Sequence, residues 1–345
     1  MNRRYFVKAG GMAIGSTLMA PYVFSEPMGD GELLGHGSHR YKVVKNWGIL
    51  DASRVPVNDC HEMVQDKKGR IILLTNEIKN NVIVYNKDGK LLDAWGHEYP
   101  GAHGLTLWNE NGTEYLFICD YERHLVQKVS MDGKVMLTIN YPKDTGQYSE
   151  EAKFKPTETL IAPNGDIYVA DGYGENWILQ YNSKGELIRY FGGKGTADNQ
   201  FQCAHGITLD HRAKGNPELI ICERITNNFK RFTLDGKFIR NIPLPGAYLS
   251  RPVIKGDYLY AAVLISKMPW DSKSGFLTIV DKHDQCISNP GGSEPVYENG
   301  KLKPLSQVGS TFMSPHDVLI DEDENLYIAQ WNSLKTYPIK LERVN

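Results

Sequence analysis

Six short apolar runs punctuate the chain, at 71–75, 116–120, 167–171, 219–223, 259–263 and 326–330. They are built from Ile, Leu, Val, Tyr, Phe, Cys and Ala, and five of the six close on a polar residue. Runs this short and this continuous predict strands buried on both faces rather than helices. A polar turn recurs behind four of them: Tyr85-Asn86-Lys87-Asp88-Gly89-Lys90, Met131-Asp132-Gly133-Lys134, Tyr181-Asn182-Ser183-Lys184-Gly185-Glu186 and Leu234-Asp235-Gly236-Lys237. The turn glycines are spaced 44, 52 and 51 residues apart. Asp-Gly ahead of alternating residues predicts a hairpin, and the positive φ of a type I′ turn explains the glycine. No sustained 3.6-residue periodicity follows residue 26, which argues against helical layers.

A unit of about four strands in 40–55 residues, repeated six times, predicts an all-β, six-bladed β-propeller. The blades are expected near 56–96, 97–140, 154–193, 199–242, 244–292 and 312–345. The last unit is too short for a fourth strand. Tyr41-Lys42-Val43-Val44-Lys45-Asn46-Trp47-Gly48 has the character of the blade-ending segments 91–96 and 187–192. It is therefore expected to complete the last blade and remove a free sheet edge. Residues 27–345 are read as one domain.

Composition narrows the function. The chain has 345 residues, 41% hydrophobic and 23% charged, with 33 Gly and 17 Pro, which excludes disorder, collagen and coiled coil. A net charge of -2 disfavours nucleic acid as a partner. No stretch of about 20 apolar residues predicts a stable membrane span. Asn2-Arg3-Arg4-Tyr5-Phe6-Val7-Lys8, followed by a mild Gly/Ala/Met-rich run to Phe24, resembles a twin-arginine export signal over 1–26. The export machinery is then a partner, and the expected location is periplasmic or secreted. Five cysteines, Cys60, Cys119, Cys203, Cys222 and Cys286, make an odd number. Cys119 and Cys222 end apolar runs and read as buried strand residues.

The histidines supply candidate chemistry. Ahead of the buried strands stand Cys60-His61-Glu62, Ala102-His103-Gly104, Ala204-His205-Gly206 and Pro315-His316-Asp317. Blade three has Thr157-Glu158 at this place, and blade five Ser250-Arg251-Pro252. This register starts the innermost strand of each blade, which lines the central tunnel. His103, His205 and His316 fall on blades two, four and six, so three imidazoles meet on one axis. Three His ligands with an open fourth position suit catalytic zinc. His61 could be a ligand, a support for a ligand or a substrate contact. Glu158 could be a base, a support for a ligand or part of an ion pair. With Arg251, these two are the candidate substrate-binding residues. His36, His39, His97, His124, His211 and His283 match no such position and read as surface.

At these residues the chain resembles the peptidyl-α-hydroxyglycine α-amidating lyases, six-bladed propellers of the NHL-repeat type. The motifs carrying the resemblance are Ala102-His103-Gly104-Leu105, Ala204-His205-Gly206-Ile207, Pro315-His316-Asp317-Val318, Asp171-Gly172-Tyr173-Gly174-Glu175 and Cys222-Glu223-Arg224. The resemblance implies zinc on His103, His205 and His316, with Tyr173 and Arg224 catalytic. It also implies a structural calcium on Asp317 and the Leu105 carbonyl. It departs from the family in having no blade-one arginine at Asp59-Cys60-His61, and in having Gly174 and Ser314 where the family has Cys and Met. A zinc and Arg224 beside Tyr173 would lower the phenol's pKa and make it a base. Arg224 could instead clamp a substrate carboxylate.

Three functions are compatible with this reading. One is a metal-dependent lyase cleaving a C–N or C–O bond of a hydroxylated small molecule or peptide end. Another is a lactonase or esterase drawing on Glu62, Glu158 and Asp317 at its metal. The third is a binding propeller with 287–311 as a mobile recognition loop.

Overall fold

In a computed structural model, the structure describes residues 33–212 and 215–344. The export signal expected at 1–26 lies outside the described residues. Among the described residues, six antiparallel sheets of four or five strands follow one another in chain order, with a two-stranded ribbon besides. Their inner strands are Cys60–Gln65, Ala102–Glu110, Glu158–Ile161, Ala204–Asp210, Tyr248–Lys255 and Pro315–Ile320. The architecture is a six-bladed β-propeller. Among the described residues no helix is long and apolar enough to cross a membrane.

The apolar runs are the second strand of each blade. Ile71–Thr75 and Ile167–Ala170 are buried along their whole length. The outermost strand Leu187–Gly192 is largely exposed. Each run is buried on both faces because blades pack face to face around the ring. Ile72 and Leu74 of blade one meet Leu105, Leu116 and Ile118 of blade two in one cluster. Phe117 and Cys119, on the other face of that blade-two strand, join Val169 and Leu179 of blade three. The ring closes with Leu73 and Tyr85 against Tyr327 and Ala329 of blade six. Each fully buried Leu, Ile or Val contributes about 1.5–3 kcal/mol.

Closure follows the expected plan. His39–Val44 pairs antiparallel with Ile339–Val344, with Val43 opposite Leu341. Leu33–His36 then adds a fifth strand that the sequence pattern did not announce. The His36 amide donates to Ser288 Oγ at 2.8 Å, which ties this strand to blade five. His39, expected at the surface, is buried with its ring 4.4 Å from Tyr258.

The hairpin turns differ in type from the expectation. In the turn at 86–90, Gly89 N–H donates to the Asn86 carbonyl and Asn86 N–H to that of Lys90. Gly89 has φ of 81°, while Asp88 is not in the positive-φ region. A register shift follows between Val84 and Tyr85. This is a type I turn with a glycine bulge, one residue longer than type I′. The glycine is needed in both cases, so composition alone does not separate them.

The segment 287–311 is anchored rather than free. Leu305 is buried and its N–H donates to the Pro245 carbonyl at 2.7 Å. Tyr297 Oη accepts from Cys286 N–H at 2.7 Å, and Tyr297–Glu298 pairs with Lys301–Leu302. All five cysteines are buried and unbridged.

Candidate metal centre

The functional register lies at a bulge. In blades one, two, four and six the pairing of the inner strand shifts at the histidine: between Cys60 and Glu62, Ala102 and Leu105, Ala204 and Ile207, and Pro315 and Asp317. A regular strand sends consecutive side chains to opposite faces, whereas a bulge re-aims them. Two polar storeys result at successive positions. The upper has His61, His103, Thr157, His205, Ser250 and His316. The lower has Glu62, Glu158, Arg251 and Asp317, with Gly104 and Gly206 as its two gaps. A Cβ at Gly104 would lie 2.5 Å from the Thr157 carbonyl oxygen, and one at Gly206 would lie 2.7 Å from Arg251 Cα. Glycine there lets neighbouring inner strands approach closely.

The upper storey is an imidazole cluster. Ring centroids are 4.7–5.0 Å apart for His103–His205, His103–His316 and His205–His316. His61 joins at 4.8 Å from both His103 and His316. One nitrogen from each of His61, His103 and His316 falls within 4.8 Å of the others. His205 Nε2 lies 3.2 Å from His103 Nε2. The cluster therefore contains all three expected ligands and His61 as well.

Backbone carbonyls fix two tautomers. His103 Nδ1 faces the Thr157 carbonyl at 2.8 Å and His316 Nδ1 the His61 carbonyl at 2.9 Å. A carbonyl only accepts, so each Nδ1 carries the proton and each Nε2 presents a lone pair. Burial lowers the pKa of His103, His205 and His316 well below the ordinary value, and that of His61 to about 4. Neighbouring imidazoles and Arg224 add to the effect for the first three. Four neutral imidazoles thus converge. Both His61 nitrogens, His205 Nδ1 and His316 Nε2 are buried without a hydrogen-bond partner among the described residues. Buried orphan polar atoms are costly, and a cation bound by His316 Nε2 and one His61 nitrogen would satisfy those two. The donor set fits zinc.

Tyr173 and Arg224 both reach this cluster. Tyr173 Oη lies 3.0 Å from His103 Nε2 and 3.1 Å from His205 Nε2. Arg224 Nη1 is 3.4 Å from the same oxygen. Arg224 is held by Nε donating to the Leu249 carbonyl and Nη2 to Ser250 Oγ, at 2.8 and 3.0 Å. Burial pushes the Tyr173 phenol up to about 12 although Arg224 pulls it down. Arg224 lowers the pKa as expected, but burial outweighs it, so protein groups without zinc leave the phenol protonated. The loop carrying Tyr173 is pinned by the Asp171 carboxylate, which accepts from Lys155 N–H, Glu175 N–H and Tyr148 Oη–H at 2.6, 2.7 and 2.9 Å. Gly174 follows from that pinning, because a Cβ there would lie 2.2 Å from both Asp171 Oδ1 and the Lys153 carbonyl oxygen.

A pocket of about 370 Å³ opens beside Tyr173, Arg224 and His316. Its walls include Ile225, Leu264, Trp270 and Trp331. Sequence reasoning missed these walls, although a signal existed. Tyr121, Tyr173, Arg224 and Trp331 each follow the second strand of their blade, where antiparallel pairing brings them beside the start of the inner strand. Trp270 comes from the 266–275 connection of blade five, which takes the place at the pocket expected of 287–311.

Glu158 and Arg251 are not at this pocket. They sit in the lower storey. Arg251 lines a separate cavity of about 890 Å³ with Thr106, Thr159 and Thr208. Arg251 Nε and Nη2 donate to the two Asp317 oxygens at 3.0 and 2.9 Å, and Nη1 donates to the Leu105 carbonyl at 3.0 Å. The groups expected to hold calcium are thus engaged by a guanidinium.

No family model matches this chain. Its sequence is similar to peptidyl-alpha-hydroxyglycine alpha-amidating lyase 1 of Drosophila melanogaster, at 28% identity over 276 residues, 72% of this chain and 46% of the relative. The human NHL repeat-containing protein 3 is 24% identical over 186 residues, 46% of this chain and 54% of that one. The chain thus resembles amidating lyases and NHL repeat proteins in sequence, and it folds as a six-bladed β-propeller. It spans about half the length of these curated relatives. Among solved structures, a virginiamycin B lyase from Staphylococcus aureus matches with a TM-score of 0.54 over 89% of this chain and 88% of that one, at 14% identity. That likeness concerns the fold.

Proposed function

We propose that this chain is a zinc-dependent lyase that cleaves the C–N bond of an α-hydroxylated amide, such as a hydroxylated peptide end. The observation that carries the reading is the phenol of Tyr173, seated between two histidine Nε2 atoms with Arg224 against it. Zinc held by His103, His205 and His316, with His61 alongside, would supply a Lewis acid for the substrate's hydroxyl oxygen. The elimination requires that the hydroxyl proton leave, the C–N bond break and a proton reach the departing amide nitrogen. With zinc beside it to lower the phenol's pKa, Tyr173 would be placed to take the first proton and return it. Arg224 has two of its nitrogens committed to Leu249 and Ser250, and its Nη1 side is left to face the phenol or a substrate carboxylate. The apolar walls suit an uncharged group on the acyl side.

The hydrolase reading calls for carboxylate oxygens at the metal. Glu62, Glu158 and Asp317 lie around Arg251 instead, at 3.3, 3.7 and 2.9 Å. This favours the lyase. The twin-arginine-like motif at 2–8 supports an exported protein. Elemental analysis of protein recovered from the exported fraction tests both readings. About one zinc per chain is expected, lost in each of His103→Ala, His205→Ala and His316→Ala. Zinc retained in all three would sink the centre, and recovery from the cytoplasm alone would sink the export.

A further inference from the structure

The lower storey of the tunnel holds its own cation. Arg251 reaches in from blade five and touches four other blades. It bonds both oxygens of Asp317 on blade six. It donates to the Met63 carbonyl on blade one at 3.1 Å and to the Leu105 carbonyl on blade two at 3.0 Å. Glu62 Oε2 lies 3.3 Å from Nη1, and Glu158 Oε2 of blade three lies 3.7 Å from Nε. Four of the five guanidinium N–H groups are used in hydrogen bonds.

Three carboxylates and two carbonyls around one point form the oxygen set that a divalent ion such as calcium takes. Here a guanidinium already accepts that role. Asp317 has no uncommitted oxygen, since Oδ2 also accepts from Met63 N–H at 2.8 Å. Glu62 Oε2 accepts from Leu105 N–H at 2.6 Å, and Glu158 Oε1 from Thr159 N–H at 2.7 Å. The calcium implied by the resemblance does not fit while Arg251 is in place.

We propose that Arg251 is a built-in replacement for a structural divalent cation, clamping five blades at the tunnel axis so that this propeller folds without calcium. The two glycines of the storey fit this arrangement, because Gly104 and Gly206 add no side chain at the level of the guanidinium. Removing the guanidinium, while keeping its acceptors, would leave an oxygen cradle of net negative charge.

The test uses the whole purified protein with its zinc retained, and it compares wild type with Arg251→Ala. In wild type, elemental analysis should find no stoichiometric calcium, and millimolar CaCl₂ should leave Tm unchanged. In Arg251→Ala, Tm should fall by about 5–10 °C, the cost of orphaning buried carboxylates. Millimolar CaCl₂ should restore much of that fall, with MgCl₂ restoring less because Mg²⁺ demands near-ideal octahedral oxygens at shorter distances. Stoichiometric calcium in wild type, or a wild-type Tm that rises with calcium, would overturn the proposal even if the variant fails to fold. A folded variant with unchanged Tm, or one that calcium does not rescue, would overturn it too. None of these readouts depends on lyase activity.

Discussion

Two storeys of the same tunnel, one residue apart in sequence, are built on opposite rules. In the lower, Arg251 holds the carboxylates of three blades, and among the described residues Glu158 Oε2 is the one buried side-chain atom of that storey without a hydrogen bond. In the upper, four imidazoles meet with several lone pairs unanswered, and a phenol rests against two of them. Low dielectric makes both costly. Only the lower one recovers the cost from within the chain. An unanswered polar cluster beside an answered one separates a site for something external from a structural brace, even where the residues are neighbours on one strand.

Changes to each storey should therefore fail differently. Tyr173→Phe removes one oxygen from the upper storey and nothing from the brace. Turnover of an N-acyl-α-hydroxyglycine should fall by about 10²–10⁴-fold, with zinc content and Tm kept. An equally active variant would separate the phenol from the chemistry. Gly206→Ala strikes where the storeys meet, placing a methyl 2.7 Å from Arg251 Cα. Denaturant unfolding should show a loss of about 1–3 kcal/mol. An unchanged midpoint would mean that the inner strands have slack between them.

The smallest effect is expected at an ion cluster off the axis. Asp210 pairs with Arg212 and Arg231 at 2.9 and 2.8 Å. Burial works to raise its pKa from 3.8, but Arg212 and Arg231 outweigh it and hold it near 2. The stability from a lowered carboxyl is present above the unfolded value and is lost as pH falls from about 4 through 2. With solvent screening, the contribution should be about 1 kcal/mol. Asp210→Asn should flatten that part of the acid-unfolding curve, and an unaltered curve would show that the pair contributes nothing.

The sequence carried most of the ring and half of the site. Apolar runs and turn glycines repeat because each blade buries the same strand and turns the same corner. The strand that completes blade six was legible because its alternation matches other blade ends. The histidines were legible because they share a register. Arg251 was placed in that register but assigned to substrate. A guanidinium that spans a tunnel finds partners on strands up to 188 residues away, and no local pattern records them. The bulges were hidden for a related reason. A pairing shift belongs to two strands, and the histidine motif shows one. Trp270 was missed because its connection repeats in no other blade, so the longer segment 287–311 drew the reading.

The pairing of His39–Val44 with Ile339–Val344 has a consequence for how the molecule comes into being. His39–Val44, the second strand among the described residues, has the last described strand as one of its partners. On a ribosome, five blades could form in order while that early strand waits with a bare edge. The ring becomes a ring only when the strand at 339–344 emerges, so closure waits for all six blades to be made. The four-imidazole centre, whose His316 belongs to that last blade, would assemble at the same moment.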